Sequence, residues 1–231
     1  MKHKYVAIVL AAGQGKRMGA DIQKQYMLLK ERPVLYYSLK QFEESDVDAI
    51  VLVVGKGEIE YCKREIVEKY GFQKISAIIE GGKERYESVY LGLEAIQNAD
   101  YVLIHDGARP LLTKEIIVKS MEQVKQYKAC VVGMPVKDTI KIIDEKEFAK
   151  ETPDRSILWL VQTPQTFSFD LVKSSYRKMM EREDETVTDD AMVVEQYGNH
   201  KVKLIKGDYE NIKITTPEDL FIAELLLDRR R

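Results

Sequence analysis

Val6-Ala7-Ile8-Val9-Leu10-Ala11-Ala12-Gly13-Gln14-Gly15-Lys16-Arg17-Met18-Gly19, followed at a short distance by Lys24 and Gln25, is the stretch from which the rest of the chain can be read. A short continuous apolar run reads as a strand buried on both faces, the habit of parallel sheets. It stops in two alanines and a pair of glycines, which let bare backbone approach a ligand. Lys16, Arg17 and Lys24 then bring three cations. The amides of such a loop form a nest for anionic oxygens, and the added charge suits a phosphate chain better than a neutral ligand. A tight turn with solvated cations would leave the same trace.

Two familiar phosphate loops do not match. There is no Gly-Lys-Ser/Thr, so the P-loop lysine and its magnesium-holding hydroxyl are both missing. Glycines at 13, 15 and 19 are spaced one residue too widely for the dinucleotide fingerprint, and cations stand where that fingerprint needs close helix packing.

With 231 residues the chain suits one domain, since cores divide beyond roughly 250–300 residues. A net charge of −2 gives no bulk attraction to nucleic acid or to anionic membranes, so anion binding must come from local clusters. Cys62 and Cys130 lack metal spacing and read as free thiols of a cytoplasmic protein. Lys2 and Lys4 ahead of the apolar run crudely imitate a secretory leader. The run is short and cations follow at once, so a first strand is the better reading. No run approaches the roughly 18 apolar residues of a membrane span.

Beyond the loop, apolar residues at 34, 35, 39 and 42 behind Pro33 predict a helix, and 49–54 a second buried strand. The charged segment 58–70 reads as a helix and 75–79 as a third strand. A helix carrying Ser88 follows the Gly81-Gly82 turn. A fourth strand, 101–105, ends in Asp106-Gly-Ala-Arg109-Pro110 ahead of a helix over 113–127. Strands alternating with helices at this rhythm imply an α/β fold with a mainly parallel sheet, whose ligands bind beyond the carboxyl ends of the strands. Asp106 stands at such an end, where one carboxylate can hold Mg²⁺ together with phosphate oxygens; a plain Asp-Gly turn is the alternative. His105 reads as a packed strand-end residue.

A fifth strand, 129–134, is followed by an alternating, charged segment from about 137 to 157 that reads as a β-arm projecting from the sheet. An isolated two-stranded arm is marginal and leaves unpaired edges, so it needs a partner surface. Trp159 and Gln162-Thr163-Pro164-Gln165 return the chain to the core and to a helix over 170–180. Thr188 or Asp189 caps the next helix, 201–205 is a strand, and Thr216-Pro217 with Asp219 starts the last helix. Lys213 alternates with Ile212 and Ile214 and so faces away from them.

Leu10-Ala-Ala-Gly-Gln-Gly-Lys-Arg-Met18 with Lys24-Gln25-Tyr26, then His105-Asp-Gly-Ala-Arg-Pro110 and Asn211-Ile-Lys213, resemble the polyol-phosphate cytidylyltransferases from one end of the chain to the other. Arg155-x-x-Leu158-Trp159 before Gln-Thr-Pro-Gln resembles their methylerythritol-phosphate branch rather than their ribitol-5-phosphate branch. The resemblance implies a Rossmann-like three-layer nucleotidyltransferase fold and transfer of CMP from CTP to 2-C-methyl-D-erythritol 4-phosphate, with release of pyrophosphate, on the way to isoprenoids. It implies that Ala11, Ala12, Gly13, Gly15, Lys16, Gly82 and Ser88 bind CTP, and that Arg17 and Lys24 stabilise the transition state. It also implies Arg155 and Lys213 as positioners of the acceptor, further acceptor contacts from Arg109, Thr139 and Thr188, and Asp106 as metal ligand. The arm then makes a homodimer in which Thr139 and Arg155 serve the partner's site. Two departures stand out: Lys83 follows the glycine pair where an acidic residue is common, and Glu210 replaces an aspartate. Ribitol-5-phosphate cytidylyltransferase, or a non-catalytic nucleotide-binding domain on the same fold, are the competing readings.

Overall fold

The computed structural model describes residues 3–13, 23–182 and 186–230. Its centre is a seven-stranded sheet in the order β11-β7-β10-β6-β1-β4-β5, formed by β1 (Tyr5–Ala11), β4 (Ala49–Val54), β5 (Ile75–Glu80), β6 (Tyr101–Asp106), β7 (Ala129–Pro135), β10 (Trp159–Ser168) and β11 (Lys203–Lys206). Every pairing is parallel except the two made by β10, which runs antiparallel to both β6 and β7.

The continuous apolar character of β1 has the expected cause. Ala7, Val9 and Ala11 enter one apolar layer while Val6 and Ile8 enter the other, because successive side chains leave a strand on opposite faces. The first layer is completed by α1 (Val34–Glu43), the short α2 (Ile59–Cys62) and α4 (Lys114–Tyr127). The second is completed by α3 (Arg85–Ala95), α5 (Phe169–Glu181) and α6 (Asp190–Tyr197). α7 (Pro217–Arg229) closes a smaller cluster around Leu29, Val34, Leu111 and Ile214. Its start is the capping box expected from sequence, Thr216 with Asp219. Glu210, the unexpected residue, ties down the other end: its carboxylate lies 3.0 Å from Arg230 and 3.7 Å from Arg229.

Three features were not legible in the sequence. Residues 159–168, expected only as a return to the core, form a ten-residue strand. Pro164 sits where the register of β10 shifts between Val161 and Gln165, so its missing N–H costs no regular ladder bond. The helix expected over 58–70 winds as π-helix from Lys63 to Glu68. A small hairpin, β2 (Leu28–Leu29) with β3 (Arg32–Pro33), leads into α1.

The arm consists of β8 (Ile142–Ile143) against β9 (Ala149–Glu151). It carries apolar side chains into solvent: Phe148 is 69% exposed and Ile157, at its base, 74%. None of the described helices is long and apolar enough to cross a membrane.

Candidate functional site

The chain runs from β1 outward through β4 and β5, then returns to lay β6 on the other side of β1. Reversal of strand order at that point opens a crevice between the loops that leave β1 and β6. Leu10 pairs with Asp106 across it, and the Gly107 amide donates to the Leu10 carbonyl at 2.8 Å. A cavity of about 320 Å³ lies there. Its walls include Ala11, Ala12 and Gly13 from the first loop, Gly82 and Ser88 from the turn before α3, and Lys24, Asp106 and Lys213.

Each wall is held from behind. The Gln25 side-chain amide, buried, donates to the Ala11 carbonyl at 2.6 Å. Glu58 accepts from the Tyr26 hydroxyl at 2.8 Å, from the Gly55 amide at 3.0 Å and from the Gln23 side chain. Lys24 therefore stands on a turn of 3₁₀ helix anchored on both sides of it. Across the cavity the Gly81 amide donates to the Val54 carbonyl at 2.8 Å, and the buried Ser88 hydroxyl accepts from the Gly82 amide at 3.1 Å and donates to the Glu84 carbonyl at 3.2 Å. A Cβ on Gly81 would meet the Ala12 methyl and the Ser88 Oγ, each at 2.6 Å. Both neighbours are short side chains with no room to give. Gly81→Ala is expected to cost about 1–3 kcal/mol in stability, checked by urea unfolding.

Asp106 is the electrostatic centre. Its Oδ1 lies 3.2 Å from Arg85 Nε and its Oδ2 2.8 Å from Lys213 Nζ, with Arg109 Nε at 4.0 Å. Burial favours the neutral acid, but Arg85, Lys213 and Arg109 outweigh it and hold the carboxyl well below the usual carboxylate range. Arg85 also pairs bidentately with the fully buried Asp190, at 2.9 and 2.8 Å. Burial works against its charge, yet Asp190 and Asp106 together keep the guanidinium well above its ordinary value. His105, as expected, is packed in the core, with Nδ1 2.9 Å from the Thr163 hydroxyl; burial lowers its pKa to about 3, so the ring is neutral.

Both oxygens of Asp106, the expected metal ligand, face protein cations in this structure, Oδ1 facing Arg85 and Oδ2 facing Lys213. A divalent ion there would have to displace Lys213 and face the remaining positive charge. Other expectations are also redistributed. Arg109 is absent from the cavity lining; it lies beneath, donating from Nη1 to the Asn211 carbonyl at 2.7 Å. Thr188 lines an adjoining cavity of about 360 Å³ that shares Lys83, Glu84 and Arg85 with the first. Asp189, not Thr188, caps α6 by accepting from the Met192 amide at 2.9 Å. Within one chain Thr139 and Arg155 line neither cavity; both are exposed on the arm, where Arg155 donates to the Lys137 carbonyl at 3.2 Å. Gly15, Lys16 and Arg17 lie outside the described residues.

The family model for IspD, 2-C-methyl-D-erythritol 4-phosphate cytidylyltransferase, matches residues 5–229. The chain belongs to this family. It is 56% identical to the 2-C-methyl-D-erythritol 4-phosphate cytidylyltransferase of Lachnospira eligens over 223 residues, 96% of this chain and 98% of the relative. It is 54% identical to that of Alkaliphilus oremlandii over 230 residues, 99% and 97% of the two chains. Among solved structures, the 4-diphosphocytidyl-2C-methyl-D-erythritol synthase of Anaerococcus prevotii superposes with a TM-score of 0.86 at 34% identity, covering 98% of this chain and 96% of its own. As an IspD-family member the chain is a nucleotidyltransferase, an enzyme that acts with CTP on 2-C-methyl-D-erythritol 4-phosphate in isoprenoid biosynthesis.

Sequence reasoning missed three IspD residues that shape the cavity. Arg85 and the buried Asp190 form an ion pair between helices far apart in sequence, and Glu58 sits in an ordinary charged helix start. Only the Glu84-to-Glu87 capping box offered a local trace of the turn that carries Arg85.

Proposed function

We propose that the cavity between the β1 and β6 loops holds CTP and that the acceptor phosphate enters from the Lys213 side. One observation carries this reading: a single cavity at the strand-order reversal is lined by small residues and backbone on one wall and by Lys24 and Lys213 from separate elements. Two polyanions must be brought together, and mutual repulsion is the main obstacle to their reaction.

An acceptor phosphate oxygen attacks the α-phosphorus of CTP; the bond from that phosphorus to the bridging oxygen breaks, and pyrophosphate leaves. The attacking group is already an anion, so no general base is required and the neutral, buried His105 has no proton to take. Lys24 and Arg17 meet the charge that moves onto the bridging and pyrophosphate oxygens. Ala11, Ala12, Gly13, Gly15 and Lys16 wrap the triphosphate. Gly82 and Ser88 face the base. Lys213, held at Asp106, takes the acceptor phosphate, and Arg109 and Thr188 border the acceptor's path. A divalent cation bound with CTP would neutralise part of the triphosphate's charge.

The arm supplies what one chain lacks. Its exposed Ile142, Ile143, Phe148 and Ile157 are apolar surface of the kind that pairs with another protein, and in a homodimer it would carry Thr139 and Arg155 to the partner's acceptor site. Residues 1–231 act as one domain in the cytoplasm, in keeping with two unpaired, buried thiols. The decisive assay is pyrophosphate release from CTP with 2-C-methyl-D-erythritol 4-phosphate and with ribitol 5-phosphate in turn. Release with the first and little with the second is expected; the reverse preference, or none, overturns the reading.

A further inference from the structure

We infer that Arg85 is a positioning residue: it ties Asp106 to the buried frame of the protein and so sets where Lys213 stands for the acceptor. The inference rests on the acceptor-side role proposed above for Lys213.

Arg85 is the first residue of α3, behind a Glu84 N-cap whose capping box fixes the turn. Its two terminal nitrogens are both spent on Asp190. Asp190 needs nothing more from it, because it is fully buried and also accepts from the Tyr176 hydroxyl at 2.5 Å. The first turn of α6, which carries Asp190, is itself pinned to β10: Gln165 donates to Asp189 at 3.0 Å and accepts from the Ala191 amide at 2.8 Å. An ion pair joining α3 to α6 would be complete at that point. Arg85 nonetheless spends its remaining nitrogen, Nε, on the cavity carboxylate of Asp106 at 3.2 Å.

The planar guanidinium makes this contact informative. With Nη1 and Nη2 held, the direction of Nε–H follows from the rigid fork, and a lysine ammonium could not span both carboxylates. Asp106 Oδ1 is thereby referenced to a buried scaffold, and Oδ2 presents to Lys213 at 2.8 Å. The same guanidinium lines the cavity that holds Lys213 and the adjoining one that holds Thr188. Without Arg85 the Asp106 carboxylate would turn toward the other cations, and Lys213 would turn with it.

Removing Arg85 alone would strand the buried Asp190 charge and could unfold the chain. The test therefore uses Arg85→Met with Asp190→Asn, which removes both charges and leaves Tyr176 an acceptor, with thermal melts confirming the fold. Initial rates with the full-length enzyme should show kcat lowered on the order of 10²-fold, the acceptor KM raised, and the CTP KM unchanged. A purely structural tether predicts otherwise: Gly82 and Ser88 flank the same turn, so loosening it would raise the CTP KM along with the acceptor KM. That pattern, or wild-type kinetics, overturns the inference. Lys213→Ala, measured alongside, separates the two claims. If it raises the acceptor KM while the double variant does not, Arg85 alone is misassigned; if it leaves the acceptor KM untouched, the role of Lys213 fails first.

Discussion

Replacing Lys24 by alanine is expected to lower kcat by about 10³-fold while the KM for the acceptor stays within a small factor of wild type. The size follows from charge and distance. A cation about 4 Å from the unit of charge that the leaving pyrophosphate gains interacts with it by roughly 4 kcal/mol at an effective dielectric of 20, and a barrier raised by that amount slows a reaction about a thousandfold. The partition between kcat and KM follows from timing. CTP carries its triphosphate charge before and after it binds, so a cation that only attracted the substrate would appear in KM. Extra charge reaches the bridging and pyrophosphate oxygens only as the bond to the α-phosphorus breaks, and only the stronger interaction at that moment accelerates the step. The geometry favours such a role because Lys24 is carried on an anchored turn: Gln25 is bonded to Ala11 on one side and Tyr26 to Glu58 on the other. A preorganised cation of this kind needs little rearrangement during the reaction. Steady-state kinetics with each substrate varied in turn settle it; an unchanged kcat with a raised KM would contradict the role given to Lys24.

Arg155→Ala and Lys213→Ala, each strongly impaired but still measurable alone, are expected to recover about a quarter of wild-type activity when mixed under conditions of subunit exchange. If the arm of one chain serves the cavity of its partner, as proposed, one site of a heterodimer combines both lesions and the other combines neither. Random exchange makes half of all dimers mixed, and each mixed dimer holds one intact site. Arg155 and Lys213 belong to different surfaces of one chain: Lys213 lines the cavity, whereas Arg155 lies exposed on the arm against the Lys137 carbonyl. Were Arg155 to reach the cavity of its own chain, the mixture would contain no site free of lesions in exchange for any number of dimers. Native mass spectrometry of differently tagged chains shows whether exchange has occurred. Absence of rescue after demonstrated exchange would remove the arm from the site.

The readable part of this protein is the part governed by local pattern. The β1 run, the strands at 49–54, 75–80, 101–106 and 129–135, and the Thr216-Pro217 helix start are set by which residues are apolar, how they are spaced and which side chains can cap a helix. Each signal spans a handful of neighbours, and each element appeared where it was expected. The loop after β1 and the carboxylate after β6 were likewise found as strand-end features, and parallel topology put both at the same end of the sheet.

β10 escaped because its polar sequence, Gln162-Thr163-Pro164-Gln165-Thr166, is that of a loop; it becomes a strand only because two neighbours, β6 and β7, offer it partners on both edges. The partners of Asp106 were hidden for a related reason. A carboxylate at a strand end suits a metal, but Arg85 comes from 21 residues earlier in the chain and Lys213 from just over a hundred residues later, and both pair with it only in the folded chain. What the linear chain determined by itself was the order of strands and helices and the residue types at the strand ends, since these depend on spacing and backbone preference within a few residues. What only the folded chain decided was the company each charge keeps, because Coulomb energy depends on distance in space, and Arg85 and Lys213 are brought within 4 Å of Asp106 only by the packing of β6, α3 and the segment before α7.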